Sequence, residues 1–188
     1  MVVSTLPSSI CQAIATAAAV GFSGSRSLEN IEPSVISEAV AAVPMSVPIS
    51  VGCQRGIDEL VRLACPRARV FRASDFGSGK GAYAARSIAC VRSVAVSGAI
   101  PEGIANGLWI AFPSSACPSG LSPSPSSSKC FCGSGSGSWA SLAFALGLGV
   151  RCLVWLPPSV PAPAGWDLSP VGDGWWVSNV APVQLSLF

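Results

Sequence analysis

The chain has 188 residues, half of them hydrophobic and only 11% charged, with a formal net charge of +2. That length suffices for one α/β domain with a real core, and a charge so close to zero excludes a nucleic-acid role argued from net charge alone. There is no histidine, which excludes Ser-His-Asp and Cys-His catalysis and any zinc site with imidazole ligands.

Taken in order, the first twenty residues lack the basic segment that opens a secretory signal. Their apolar run leads into a Gly-rich turn, as a buried first strand would. A strand is expected over 17–22, ending in Gly21-Phe22-Ser23-Gly24-Ser25-Arg26, and a helix over 33–43 with Pro33 in its first turn. Residues 49–52 read as a strand. Residues 55–64 read as a helix, with Ile57, Leu60, Val61 and Ala64 at helical spacing. Val70 and Phe71 form a short strand. The next helix is expected over 81–96, with Ala84, Ile88, Val91 and Ala95 on its apolar face, followed by a strand over 108–112.

Residues 114–137 are rich in Ser, Pro and Gly and read as a long loop. A helix over 138–148 and a strand over 150–155 come next. This stretch is apolar enough for a membrane span, but Gly147, Gly149 and Arg151 interrupt it and Pro157-Pro158 ends it, which fits a buried helix and a buried strand better. The proline-rich segment 157–182 holds a hairpin, 166–168 with 175–177, turning at Gly172-Asp173-Gly174. Short apolar strands alternating with helices specify an α/β fold: a parallel sheet with helices on both faces. The expected division is a body over 1–156 and a Pro/Trp-rich extension over 157–188.

The eight cysteines are irregularly spaced, and the closest pair, Cys130-Phe131-Cys132, has one intervening residue where a zinc knuckle has two to four. Cys53, Cys65, Cys90 and Cys152 lie in apolar stretches, where a free thiol behaves as a small hydrophobe. The expectation is a reduced, cytoplasmic protein with no metal and no membrane contact.

Eight of the eleven basic residues fall between Arg55 and Arg92, opposed there only by Asp58, Glu59 and Asp75. Arg26, Lys80 and Arg86 are the candidate phosphate contacts, with solvated surface charge as the alternative. Asp58 and Glu59 open a helix, where carboxylates favour the dipole. Trp109 and Trp155 are expected in the core. Trp175 and Trp176 alternate on a strand, so one faces outward and is the candidate stacking platform.

A second Gly-rich turn, Gly133-Ser134-Gly135-Ser136-Gly137-Ser138, opens the helix at Trp139. Small residues let backbone N–H groups approach an anion, and a helix N-terminus adds a favourable dipole. Neither turn is a dinucleotide fingerprint or a Walker A sequence.

What lies between the two turns carries a resemblance. Val51-Gly52-Cys53-Gln54-Arg55-Gly56-Ile57-Asp58 resembles the S-G-x-A-x-G-I-D segment of the DNA-processing protein A (Smf) family. Gly24-Ser25-Arg26 matches that family's G-S-R after its first strand. The stretch Gly79–Ile88 falls where the family has a basic R-N-R-x-I helix start. Together these motifs span roughly residues 17–156 and resemble the SLOG superfamily of Rossmann-like folds, which also holds the LOG nucleotide phosphoribohydrolases. The resemblance implies a nucleotide or phosphate pocket built from Gly24, Ser25, Arg26, Arg55, Gly56, Asp58, Gly135, Ser136, Gly137 and Ser138, with nucleic-acid contacts from Lys80 and Arg86. It assigns no cofactor beyond a nucleotide ligand. LOG hydrolases carry P-G-G-x-G-T-x-x-E, and the matching alignment here puts Ser141 where the catalytic acid stands. A Ser cannot replace a carboxylate in moving a proton at neutral pH, so no catalytic residue is assigned. A LOG-like hydrolase with Asp58 or Glu59 as the acid is the alternative, and a nucleotide-signal sensor is another.

The last five residues, Gln184-Leu185-Ser186-Leu187-Phe188, resemble the bacterial sliding-clamp-binding peptide Q-L-[S/D]-L-F at all five positions. Burying Leu187 and Phe188 in a groove is worth about 1.5–3 kcal/mol each, offset in part by ordering the tail. Roughly micromolar affinity is the expectation. The alternative is a tail that folds back on its own core. The function expected from sequence is therefore a bacterial, nucleoid-associated accessory protein of DNA replication or processing. It binds the sliding clamp through its tail and a nucleotide or single-stranded DNA through its body. Oligomeric state, homo-oligomers included, and chromosomal, plasmid or phage origin stay open.

Overall fold

The computed structural model describes residues 6–97, 107–133 and 135–179. The elements run α1 (Ser8–Ala15), β1 (Ala19–Gly24), α2 (Pro33–Ala41), β2 (Ile49–Gly52), α3 (Ile57–Ala64), β3 (Arg69–Phe71), a 3-10 turn (Ala73–Phe76), α4 (Lys80–Ser97), β4 (Gly107–Phe112), α5 (Ser127–Cys130), α6 (Gly137–Gly147), β5 (Arg151–Trp155), β6 (Leu168–Gly172) and β7 (Trp175–Ser178). They build one seven-stranded sheet in the order β3-β2-β1-β4-β5-β7-β6. The first five strands are parallel, and β7 and β6 pair antiparallel at one edge. This is a Rossmann-like α/β arrangement, as expected from the strand–helix alternation.

Period-two alternation of side chains explains the two cores. Val20 and Phe22 of β1, Ile49 and Val51 of β2, and Leu108, Ile110 and Phe112 of β4 face α1, α2 and α3. Ala19, Trp109, Ala111, Cys152 and Val154 face α4 and α6. Central strand β4 is buried at every position, as befits a parallel strand covered on both faces.

The start of the chain departs from the sequence reading. A helix, Ser8–Ala15, precedes the first strand and buries Ile10, Ala13 and Ile14. The strand itself begins only at Ala19. A short apolar run does not separate helix from strand by periodicity.

A hairpin is present and turns where expected, but its first strand is Leu168–Gly172 and not 166–168, and it joins the main sheet through β5. The Trp155 indole N–H donates to the Asp173 carbonyl at 3.0 Å, and the Cys152 N–H donates to the Ser178 hydroxyl at 2.8 Å. Trp175 is buried edge-on against Phe112 with ring centroids 5.7 Å apart. Trp176 is the half-buried, outward member of the pair. Trp139 and Trp166 are also core residues, packed edge to face at 5.6 Å.

No disulfide joins any cysteines among the described residues. Burial pushes the Cys90 and Cys152 thiols well above their ordinary range. A thiol reagent should therefore label exposed Cys132 in the native protein and reach Cys65, Cys90 and Cys152 only on unfolding. Peptide mapping of the labelled protein checks this, and prompt native labelling of Cys90 or Cys152 would contradict the packing. Among the described residues no helix is long and apolar enough to cross a membrane, and no cluster of His, Cys, Asp and Glu is placed to hold a metal ion.

Candidate functional site

Strands β1 and β4 are parallel neighbours from which the chain winds in opposite directions, to β2 and β3 on one side and to β5 on the other. In open α/β sheets such a switch point, outside the carboxyl ends of the strands, is where ligands bind. The expected G-S-R turn lies there and is tied on both sides. Ser25 N–H donates to the Phe112 carbonyl at 3.1 Å, and the Ser114 N–H donates to the Ser25 hydroxyl at 2.8 Å. The Ser25 carbonyl accepts from Ile57 N–H, the first residue of α3, at 3.1 Å. Gly56 caps α3 at φ +78°, and a Cβ there would run into the Ser25 and Arg26 carbonyls. Only glycine meets both demands.

The second Gly-rich turn is brought to the same strand edge. Helix α6 begins at Gly137, one residue earlier than expected, after Ser136. The Trp139 indole N–H donates to the Ser115 carbonyl at 2.8 Å, one residue beyond the Ser114 that binds Ser25. Ser136 and Ser138 hydrogen-bond to each other through their hydroxyls at 3.0 Å, and Gly135 and Gly137 are exposed. The first turns of α4 and α6 contain no acidic residue that would offset the helix dipole. Ser141 is buried and donates its hydroxyl back to the Gly137 carbonyl at 2.8 Å.

Behind the β2 turn sits a buried ion pair. Arg86 Nη1 donates to Asp58 Oδ2 at 3.0 Å, and both side chains are nine-tenths buried. The same Asp58 oxygen accepts the Gln54 N–H at 3.2 Å. Arg62 closes the turn from the other side, donating to the Gly52 carbonyl at 2.9 Å and the Gln54 carbonyl at 3.0 Å. The pair lies across Gly52, where any Cβ would overlap the Arg86 guanidinium and the Asp58 carboxylate. Burial pushes the Asp58 carboxyl above the ordinary carboxylate range, while Arg86, the Gln54 N–H and Arg62 pull the other way. The buried Arg86 Nε has no hydrogen-bond partner among the described residues.

This corrects two sequence expectations. Arg86, expected as an exposed nucleic-acid contact beside Lys80, lies behind the turn and holds it. The inward stripe of α4 runs through Ala82, Arg86, Cys90, Val91 and Val94; of the expected face Val91 is buried, whereas Ala84, Ile88 and Ala95 are only half-buried. Reading Arg86 as a surface charge rotated the expected apolar face. Asp58 likewise faces inward with Arg86, and Glu59 is the exposed carboxylate of that helix start.

The basic cluster sorts into two groups. Arg62 and Arg67 bond backbone carbonyls, Arg86 pairs with Asp58, and Arg69 and Arg92 lie over the Phe71 and Phe144 rings at 4.7 and 5.8 Å. Arg55, Arg72 and Lys80 are exposed, and their side chains have no partner among the described residues; the same is true of Arg26. Arg26 follows β1, Arg55 follows β2, Arg72 follows β3 and Lys80 opens α4. All four therefore stand at the carboxyl edge of the parallel strands. Sequence reasoning passed over Arg72; its signal was its place immediately after a strand.

Two shallow clefts, of about 360 and 390 Å³, lie toward the hairpin end of the sheet and are lined by none of the residues expected to bind phosphate. The expected clamp peptide, 184–188, lies outside the described residues. Comparisons with protein-family models, with curated proteins and with solved structures returned no match.

Proposed function

We propose that this chain is a DNA-replication or DNA-processing accessory protein. Its body holds a nucleotide or single-stranded DNA at the carboxyl edge of the sheet, and its tail docks on the bacterial sliding clamp. One observation carries the first half: Arg26, Arg55, Arg72 and Lys80 are exposed and unpaired among the described residues, and they line one strand edge around the switch point. Exposed acids stand near them as well: Glu29 and Glu32 follow Arg26, Glu59 follows Arg55 and Asp75 follows Arg72. What suits a ligand whose charge is phosphate is the placement of these four cations at the strand ends, not an excess of positive charge. The five-of-five match at 184–188 supports the second half.

Binding of fluorescent single-stranded DNA should weaken as salt rises, because phosphate contacts release counterions, with a log–log slope of about 0.7 per contact. Replacing Arg26, Arg55 and Lys80 by alanine together should lower both affinity and slope. Fluorescence anisotropy across a salt series reads both. Salt-independent binding, or a slope untouched by the triple substitution, would remove the edge as the ligand site. Arg86→Ala serves as a contrast: it should affect stability more than slope.

A further inference from the structure

We infer that Phe76 and Tyr83 form a nucleobase-stacking subsite beside the cationic edge, so that the ligand is read by a flat ring as well as by its phosphate. The inference rests on the proposed nucleotide or single-strand reading and assigns its base-contacting residues.

The two rings are among the few large apolar side chains left open to solvent, 39% and 47% exposed. Most of the other aromatic rings are consumed by the core or half-buried against it. Among the described residues, neither ring meets another ring or a cation, and the Tyr83 hydroxyl makes no hydrogen bond. Their placement follows from the backbone. Phe76 ends the 3-10 turn that packs against α4, and Tyr83 stands in the first turn of α4. Ala82 and Arg86 face inward, which turns Tyr83 outward beside Lys80, three residues earlier on the helix. The 3-10 turn is anchored to the β2 turn, because the Ala73 N–H donates to the Cys53 sulfur at 3.2 Å. Arg72 leads into it, and Arg55 follows Cys53 by two residues.

Two open rings and three cations that have no partner among the described residues thus share one corner. Exposed aromatic rings cost free energy in water, and lone ones need no explanation. Rings interleaved with unpaired cations match the two chemistries of a nucleotide unit, a flat π-face joined to an anion. The half-buried Trp176 is at the hairpin end of the sheet, with Pro157, Pro158 and Pro170, away from these cations. It therefore gives way to Phe76 and Tyr83 as the stacking platform.

The test uses the full chain and three probes: a labelled oligothymidine, an abasic strand of equal length and charge, and adenosine monophosphate as competitor. The Phe76→Ala/Tyr83→Ala variant should keep its circular dichroism and melting temperature, because both side chains are exposed. It should bind oligothymidine about tenfold more weakly for each ring lost, with the salt slope and the affinity for the abasic strand unchanged. Tyr83→Phe should retain the native affinity, since stacking needs the ring and not the hydroxyl. Competition by the monophosphate that is lost in the double variant would mark a free nucleotide as the source of the base; no competition, with oligothymidine binding sensitive to the rings, would mark a strand. Equal losses on oligothymidine and abasic strands, or no loss on either, would overturn the subsite while leaving the phosphate-binding reading intact. Failure of the native protein to bind any of the three probes at low salt would overturn both.

Discussion

Replacing Asp58 by alanine is expected to cost the fold about 3–5 kcal/mol, the penalty of leaving a buried charge without its partner. Arg86 is nine-tenths buried, its Nη1 lies 3.0 Å from Asp58, and its Nε already lacks a hydrogen-bond acceptor among the described residues. Removing the carboxylate also frees the Gln54 N–H that shapes the β2 turn. The asparagine variant keeps an acceptor for both donors and should lose less. Removing the charge from both sides, Asp58→Ala with Arg86→Met, should recover part of the loss, because an apolar pair owes no desolvation. Gly52→Ala should be destabilising as well, since its Cβ would occupy the space of the guanidinium. Urea denaturation of the set reads these differences. A cost below about 1 kcal/mol for Asp58→Ala, in the range of exposed pairs, would show that the pair does not organise the turn.

Deleting residues 184–188, or changing Leu187 and Phe188 to alanine, is expected to reduce clamp binding at least about hundredfold while leaving the melting temperature unchanged. The two side chains are worth about 1.5–3 kcal/mol each when buried, and each 1.4 kcal/mol is tenfold in affinity. Starting from roughly micromolar binding, the loss leaves a Kd of about 0.1 mM or weaker. Isothermal titration of a bacterial clamp with the full chain and with the truncated chain decides the matter. Equal heats from both proteins would eliminate the tail as the docking element. Loss of clamp binding with single-strand binding intact would show that the two halves of the proposed function are separable.

The outcome for the candidate site divides by residue. Ser25 and Gly56 were legible from motif spacing, and the structure joins their turns through the Ile57 N–H and the Ser25 carbonyl. Lys80 was legible as an exposed cation. Arg86 was not, because a sequence records that a residue is charged and not that a carboxylate awaits it 28 positions away. Arg62, Arg67 and Arg92 inflated the apparent basic segment for the same reason, each meeting a carbonyl or ring many positions away, and Arg69 lies over the ring of Phe71 on its own strand. Phe76 and Tyr83 drew no notice beside six tryptophans, most of which the core absorbs.

The sequence by itself determined the fold class, the alternation of the parallel strands with their main helices from Ala19 to Trp155, and the turn of the hairpin. These depend on local periodicity and on the glycines and prolines that end elements, and neighbours along the chain supply both signals. The sequence did not show the short helix α5 inside the stretch read as a loop, and it placed the first hairpin strand too early. The tertiary structure alone decided that the hairpin extends the main sheet through β5, that α1 precedes the first strand, and which of the cations remain free. Those outcomes depend on pairings between residues far apart in the chain. The free energy of a buried charge or an edge strand is set by what it meets, and composition does not carry that information.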